Sequence, residues 1–394
     1  MTPAERFLKN ARNIATNPLI QESVEYTNIF TGISEGLFGV KFIGTFSSNV
    51  FPETLKFSDG YKCLIWDSAY WYIFSNIMKL YPLRQYEHIK SVAMYMKHQL
   101  KKVLFYFLSL KTENYPALSA EVSLAYRKLS DKTVKFNHKY LENNKNKINE
   151  ATYFAKIFCL FHELNHIKNI EDKDDFNRKS KDLTKLFIGA EKLVQDTSFL
   201  DMLLGYYTKE AIDKAFKQII SSNNAELEEE IISDMCAFHD TISFFEQNYP
   251  TLSVEEIYSR VYEVLLFINS VNFMLIQICQ QWNYHYKLCV KIIDVETHSK
   301  MMSELNNDTL LRFIITDILR RIETYELFKE NEDILHTNFY GLRYGVGKRN
   351  SFVEDTVNSL TSANQFAEIY YDSSLYSREE TKNALNVRDI MIGW

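Results

Sequence analysis

The sequence predicts an α-dominated α+β protein, in which a small antiparallel sheet near the N-terminus packs on a large helical body. Gly (11) and Pro (6), which interrupt helices most strongly, make up roughly 4% of the 394 residues, against about 12% in an average protein. Apolar residues recur with the 3.6-residue period of a helix over most of the chain. A single N-terminal region carries strand and turn signals instead, so the sheet should be small.

The strand and turn signals are confined to one stretch that precedes the first long aromatic helix. A strand is predicted over 40–46 and a hairpin over 54–66. The hairpin is centred on Asp59 and Gly60, a pair that tolerates the positive φ of a tight turn. Asp67 then fits the N-cap of the helix that follows.

Helical apolar stripes fill most of the remaining chain. They cover Leu83–Leu110, Asn149–Ile170, Asp182–Leu204, Lys209–Ser221, Ala225–Glu246, Val254–Trp282 and Thr309–Lys329. The basic stretch 132–147 should be a solvated helix end and loop, and the charged stretch 171–181 a loop or exposed helix start. We expect three parts: a helical segment at 1–35, a main domain with long helical insertions at 36–305, and a helical region with a polar tail at 306–394.

Charge and composition exclude several classes of partner. The net charge of −6 leaves no basic excess for a nucleic-acid interface. The most apolar run, 261–282, contains Glu263, Asn269 and Asn272, which favours a buried core helix over a membrane span. The opening MTPAERFLKN is charged where a secretory signal would be apolar, and the five cysteines include no CxxC pair. These features indicate a cytoplasmic protein with reduced thiols.

One helical segment carries the pattern HExxH. His162 and His166 lie one turn apart, so both imidazoles project from the same face of the helix. This spacing suits two ligands of a tetrahedral Zn²⁺ site. Glu163 lies about 100° further round the helix, where it can reach a water molecule beside the metal without ligating it. Cys159, three residues before His162, is better explained as a core residue.

The third ligand is predicted on a second amphipathic helix, 225–237. Glu230 and Asp234 share one face, so Glu230 can complete the zinc site while Asp234 accepts the far N–H of a ligating histidine. Asp234 itself, Glu229 and His239 are alternative third ligands. The acidic residues could also simply be the favourable start of a charged helix.

HExxH followed downstream by ExxxD is the arrangement of the gluzincin metallopeptidases. More narrowly, the order of features resembles the Lit family of phage-exclusion peptidases, in the neighbourhood of the ImmA-like zinc peptidases. Four segments carry the resemblance: KCLIWDSAYWYIFSNIMKLY, FHELNH, EEEIISDMCAFH and ETHSKM, which cover roughly 38–305 with gaps. Ser233 replaces the family's Ala before the Asp, and Ser299 replaces the Pro after the His.

The resemblance implies a zincin-like active-site helix and an intracellular zinc endopeptidase acting on a protein or peptide substrate. It implies that His298 stabilises the oxyanion, and that the substrate is elongation factor Tu during phage infection. The strand at 40–46 is expected to pair with the extended substrate. Two alternatives stay open: a metallopeptidase switch that cleaves only a regulatory partner, and a helical interaction or scaffold protein in which HExxH arose by chance. The sequence carries no signal for an oligomeric state.

Overall fold

The computed structural model describes residues 24–45, 52–79, 135–193, 209–221 and 225–258, with scattered positions between 260 and 319. The elements in chain order are α1 (Val24–Thr31), a π-helical continuation (Gly32–Leu37), β1 (Lys41–Thr45), β2 (Glu53–Lys56), β3 (Lys62–Asp67), α2 (Ser68–Met78), α3 (Lys135–Glu171), α4 (Lys173–Leu193), α5 (Lys209–Ser221) and α6 (Ala225–Asn248). The predicted α-dominated α+β class is confirmed.

The chain divides into two compact units. The first comprises Met1–Ser75, Asn149–Phe267 and Ile314–Phe339, and it holds the sheet and the HExxH segment. The second comprises Asn76–Ile148, Ile268–Phe313 and Tyr340–Trp394. Its best described part, the beginning of α3, is helical.

The sheet is mixed, so the prediction of an antiparallel sheet is wrong for one of its two pairings. The strand order is β1-β3-β2, with β2 antiparallel and β1 parallel to β3. The central strand buries Cys63, Leu64 and Trp66, whereas β2 exposes Glu53 and Lys56 at its ends. The most apolar strand therefore takes the centre and the charged strand an edge. β2 runs opposite to both of the other strands, and β1 and β3 run in the same direction.

The hairpin turn depends on a glycine. Gly60 has φ +82°, and a Cβ built there would meet nothing within 4 Å. We therefore predict that Gly60→Ala lowers the free energy of unfolding by about 1–2 kcal/mol through backbone strain alone. Gly44→Ala in β1 is the matched control, because its Cβ also has open space but its backbone has no positive φ. Equal chemical-denaturation midpoints for the two variants would contradict this account.

α3 and α6 lie antiparallel and pack through aromatic and polar contacts. The rings of Phe154 and Phe245 stack with centroids 3.7 Å apart. Further along, Asn165 Nδ2 donates to Asp240 Oδ2 at 2.9 Å. These contacts set the register of the two helices, because each joins a defined residue of α3 to a defined residue of α6.

The helices extend further than their apolar stripes predict. α3 begins at Lys135, so the interpretation of 132–147 as partly loop is wrong from that residue onward. α4 begins at Lys173, directly after Asp172, whose Oδ1 accepts the Asp175 N–H at 2.9 Å. The charged stretch 171–181 is thus an exposed helix start with an N-cap. Only the packed face of a helix needs regularly spaced apolar residues, so α3 and α4 can extend through polar sequence beyond the apolar stripes.

Some predicted elements cannot be compared. The helix predicted over 83–110 lies outside the described residues, as do most of those over 254–282 and 309–329. Within the described ranges, no helix combines the length and apolar character that crossing a membrane would require.

Candidate metal centre

Two helices supply the polar side chains of the predicted site. α3 presents His162, Glu163 and His166 from a stretch that is mostly apolar and buried. α6 presents Glu230 and Asp234 from its N-terminal half. The antiparallel packing of α3 and α6 brings these residues together, although they lie far apart in the sequence.

The three predicted ligands converge. His162 Nε2 and His166 Nε2 are 3.2 Å apart. The carboxylate oxygens of Glu230 lie 3.4 Å from His162 Nε2 and 3.7 Å from His166 Nε2. In a tetrahedral centre with ligands at 2.0–2.1 Å, neighbouring ligand atoms are about 3.3–3.4 Å apart. The group His162, His166 and Glu230 can therefore hold a metal ion and leave a fourth position for another molecule.

Asp234, predicted to accept the far N–H of a ligating histidine, lies beside His162. Its Oδ1 is 2.9 Å from His162 Nδ1, the nitrogen that points away from the three-residue group. The two atoms are at ion-pair distance but lack hydrogen-bond alignment. Burial alone lowers the pKa of His162, but Asp234 and Glu230 outweigh it and raise that pKa to about 10. A ligating histidine must be neutral, so a metal ion has to displace this proton.

The surroundings of His166 are different. Its Nδ1 lies 3.2 Å from Glu229 Oε1 and 3.3 Å from Ser233 Oγ. Burial and the neighbouring His162 lower the pKa of His166, against the opposing effect of Glu230 and Glu229. Glu229, considered from the sequence as a rival third ligand, thus contacts the far nitrogen of His166 instead. In the sequence, the indication of this contact is that Glu229 directly precedes Glu230.

Glu163 lies where α3 meets the sheet. The Thr54 hydroxyl of β2 donates to the Glu163 carbonyl oxygen at 3.0 Å. Two turns further along α3, Glu171 pairs with Lys56 at 3.3 Å and Lys62 at 3.1 Å. The hairpin is therefore attached to α3 beside the metal-binding group, a contact that the sequence did not indicate.

The remaining candidates differ in placement. Cys159 is buried, and burial together with Glu163 and Asp234 raises the pKa of its thiol, as expected of an unreactive core residue. His239 is exposed and is not one of the three converging residues. His298 lies outside the described residues. Within the described ranges the cysteines are free thiols, namely Cys63, Cys159 and Cys236.

Comparison of the chain with models of protein families, with curated proteins and with solved structures finds no match. The arguments that follow therefore depend on the geometry of the site and on the motifs of the sequence.

Asp234 offers a direct test of how the site is supported. Asp234→Asn keeps the shape of the side chain but removes the charge that faces His162 Nδ1. We predict that zinc affinity falls about 10- to 100-fold, as is typical when a ligand's supporting carboxylate is lost. Competition with a chelator measures this change. Asp240→Asn on the same helix is the control, because Asp240 bonds to Asn165 and not to a histidine. Unchanged affinity in Asp234→Asn would contradict the supporting role.

Proposed function

We propose that this chain is a zinc-dependent peptidase of the gluzincin type. The observation that carries the proposal is the convergence of His162, His166 and Glu230 with the spacing of a tetrahedral site. Two imidazoles and one carboxylate are a donor set that suits Zn²⁺, and three protein ligands with one open position are typical of catalytic rather than structural zinc. The adjacent Glu163 supplies the acid–base group that a hydrolase needs.

The proposal gives each of these residues a role. When bound, the ion supplies Lewis-acid chemistry that lowers the pKa of a water molecule to about 7 and polarises the scissile carbonyl. Glu163 accepts the proton of the attacking water and delivers it to the leaving amine. Asp234 holds His162 from behind, so that Nε2 faces the ion. His298 is retained as a second donor to the oxyanion on the resemblance alone.

The substrate backbone is proposed to pair with β2. Both β1 and β2 are edges of the sheet, but Glu35 Oε1 accepts the Phe42 N–H of β1 at 3.3 Å and pairs with Lys41 at 2.7 Å. β2 instead contacts Glu163 directly through Thr54. An extended peptide added to β2 would run past the acid–base residue, which favours β2 over the strand first expected from the sequence.

The experiment that tests the proposal combines metal analysis with cleavage. Elemental mass spectrometry on the purified protein should find about one zinc per chain. The zinc-loaded protein is then incubated with a cell extract, and new protein termini are mapped with and without a chelator. Termini that appear only with the metal support a peptidase. A metal-free protein would leave the interaction or scaffold alternative. A metal-loaded protein that produces no new termini would leave both that alternative and the conditional switch.

The resemblance to the Lit family extends the proposal to a cytoplasmic role in phage exclusion. Elongation factor Tu is then the first substrate to add as a purified protein. Cleavage that begins only after a phage-derived component is added would favour the conditional switch. Cleavage of other proteins but not of elongation factor Tu would keep the activity class and remove this substrate.

A further inference from the structure

A buried polar pair lies against the far side of His166. Asn169 Nδ2 donates to Ser233 Oγ at 3.1 Å, and Ser233 Oγ lies 3.3 Å from His166 Nδ1. Asn169 follows His166 by one turn of α3, while Ser233 is on α6. The exposed fraction is 5% for Asn169 and 0% for Ser233. The contact therefore lies in the interior between the helices.

We propose that Asn169 and Ser233 are positioning residues that hold the imidazole ring of His166 in the orientation of a metal ligand. The inference rests on the proposed metal centre and deepens it. To ligate through Nε2, a neutral His166 must carry its proton on Nδ1. Two oxygen acceptors lie within reach of that N–H, namely Glu229 Oε1 at 3.2 Å and Ser233 Oγ at 3.3 Å.

The two acceptors have different properties. The Glu229 side chain is 37% exposed, so water competes for its carboxylate. Ser233 is fully buried on a packed helix, and its Oγ is held by the Asn169 amide. Glu229 thus favours a proton on Nδ1, whereas the Asn169–Ser233 pair keeps the imidazole ring from rotating.

If the Asn169–Ser233 pair served only to join α3 to α6, it would repeat a contact that another asparagine already makes. One turn earlier on α3, Asn165 Nδ2 donates to Asp240 Oδ2 and also to the Phe161 carbonyl oxygen. That bond already joins α3 to α6 through a buried asparagine. What distinguishes the Asn169–Ser233 pair is its contact with the far nitrogen of a ligand. Asn165 therefore provides a matched control.

The test is a chelator-competition measurement of Zn²⁺ affinity for the full chain. Ser233→Ala and Asn169→Ala are each expected to weaken zinc binding about 10- to 100-fold. Their double variant should be little weaker than either single one, because both act through the same contact. Asn165→Ala should stay close to the unmodified protein. In the zinc-loaded protein, Ser233→Ala should also shift the ¹⁵N resonance of His166 Nδ1.

The outcomes separate this inference from the proposed function. If Ser233→Ala and Asn169→Ala bind zinc as tightly as the unmodified protein, the inference is overturned but the proposed function is not. Equal losses in Asn165→Ala and Asn169→Ala also overturn it, because the effect would then be general to the helix interface. An unmodified protein that binds no zinc overturns the inference and the proposed function together. If Ser233→Ala does not fold, Asn169→Ala carries the same test with both serine and histidine in place.

Discussion

Replacing His162 by alanine is expected to abolish stoichiometric metal binding and to lower the thermal stability of the protein. His162 is one of the three converging residues, and its Nε2 lies within 3.4 Å of the side chains of the other two. A bound ion at 100 times its dissociation constant stabilises the folded chain by about 2.7 kcal/mol, and the variant loses this contribution. The zinc content measured by elemental mass spectrometry should therefore fall from about one ion per chain to none.

The control for this prediction is His239→Ala. His239 is an exposed histidine on α6, the helix that carries Glu230, but it is not one of the three converging residues. The His239→Ala variant should keep its zinc and its melting temperature. A chelator should lower the melting temperature of the unmodified protein and of His239→Ala, but not that of His162→Ala. Zinc retained in His162→Ala would show that the ion binds elsewhere in the chain.

The residues that converge were predictable because each pair depends on local periodicity. HExxH places two imidazoles on one helical face whatever the tertiary structure, and the four-residue step from Glu230 to Asp234 does the same for two carboxylates. The sequence also indicated that the two helices should meet, because neither pair alone completes a metal site. The structure brings His162, His166 and Glu230 together and places Asp234 behind His162.

The contacts that support the site were not predictable, because they depend on the register between distant segments. In the sequence, Asn169 is an ordinary helical residue and Ser233 is only a departure from the Lit-family pattern. The packing of α3 on α6 brings the two together. The contact of Thr54 with Glu163 depends in the same way on where the hairpin meets α3. Local pattern identifies which residues share a face, but not which face of another element they contact.

The strand order shows the same limit. The Asp59-Gly60 turn predicted the hairpin between β2 and β3, and the structure confirms it with Thr54 opposite Leu64. The pairing of β1 has no comparable turn signal, since any short strand can join either edge of a hairpin. β1 joins β3, and the sheet becomes mixed. Strands that are adjacent in sequence are often, but not always, adjacent in space.

Replacing Glu163 by glutamine is expected to leave the metal in place and to reduce peptide cleavage by about 10²- to 10⁴-fold. Glutamine keeps the size of the side chain but neither accepts nor returns a proton at neutral pH, and this is the range that a general acid–base group contributes. Glu163 is not among the three converging residues, so zinc content and melting temperature should match those of the unmodified protein. Cleavage is followed as the rate at which new protein termini appear.

Glu171→Gln is the matched control, because it makes the same chemical change on the same helix. Glu171 is exposed and pairs with Lys56 and Lys62 rather than with the site. Its loss should cost at most about 1 kcal/mol of stability, as for other surface ion pairs, and should leave the cleavage rate almost unchanged. If Glu163→Gln instead cleaves at the rate of Glu171→Gln while both retain zinc, another group must carry the proton. The convergence of His162, His166 and Glu230 would then describe a metal site without assigning the acid–base role to its neighbour.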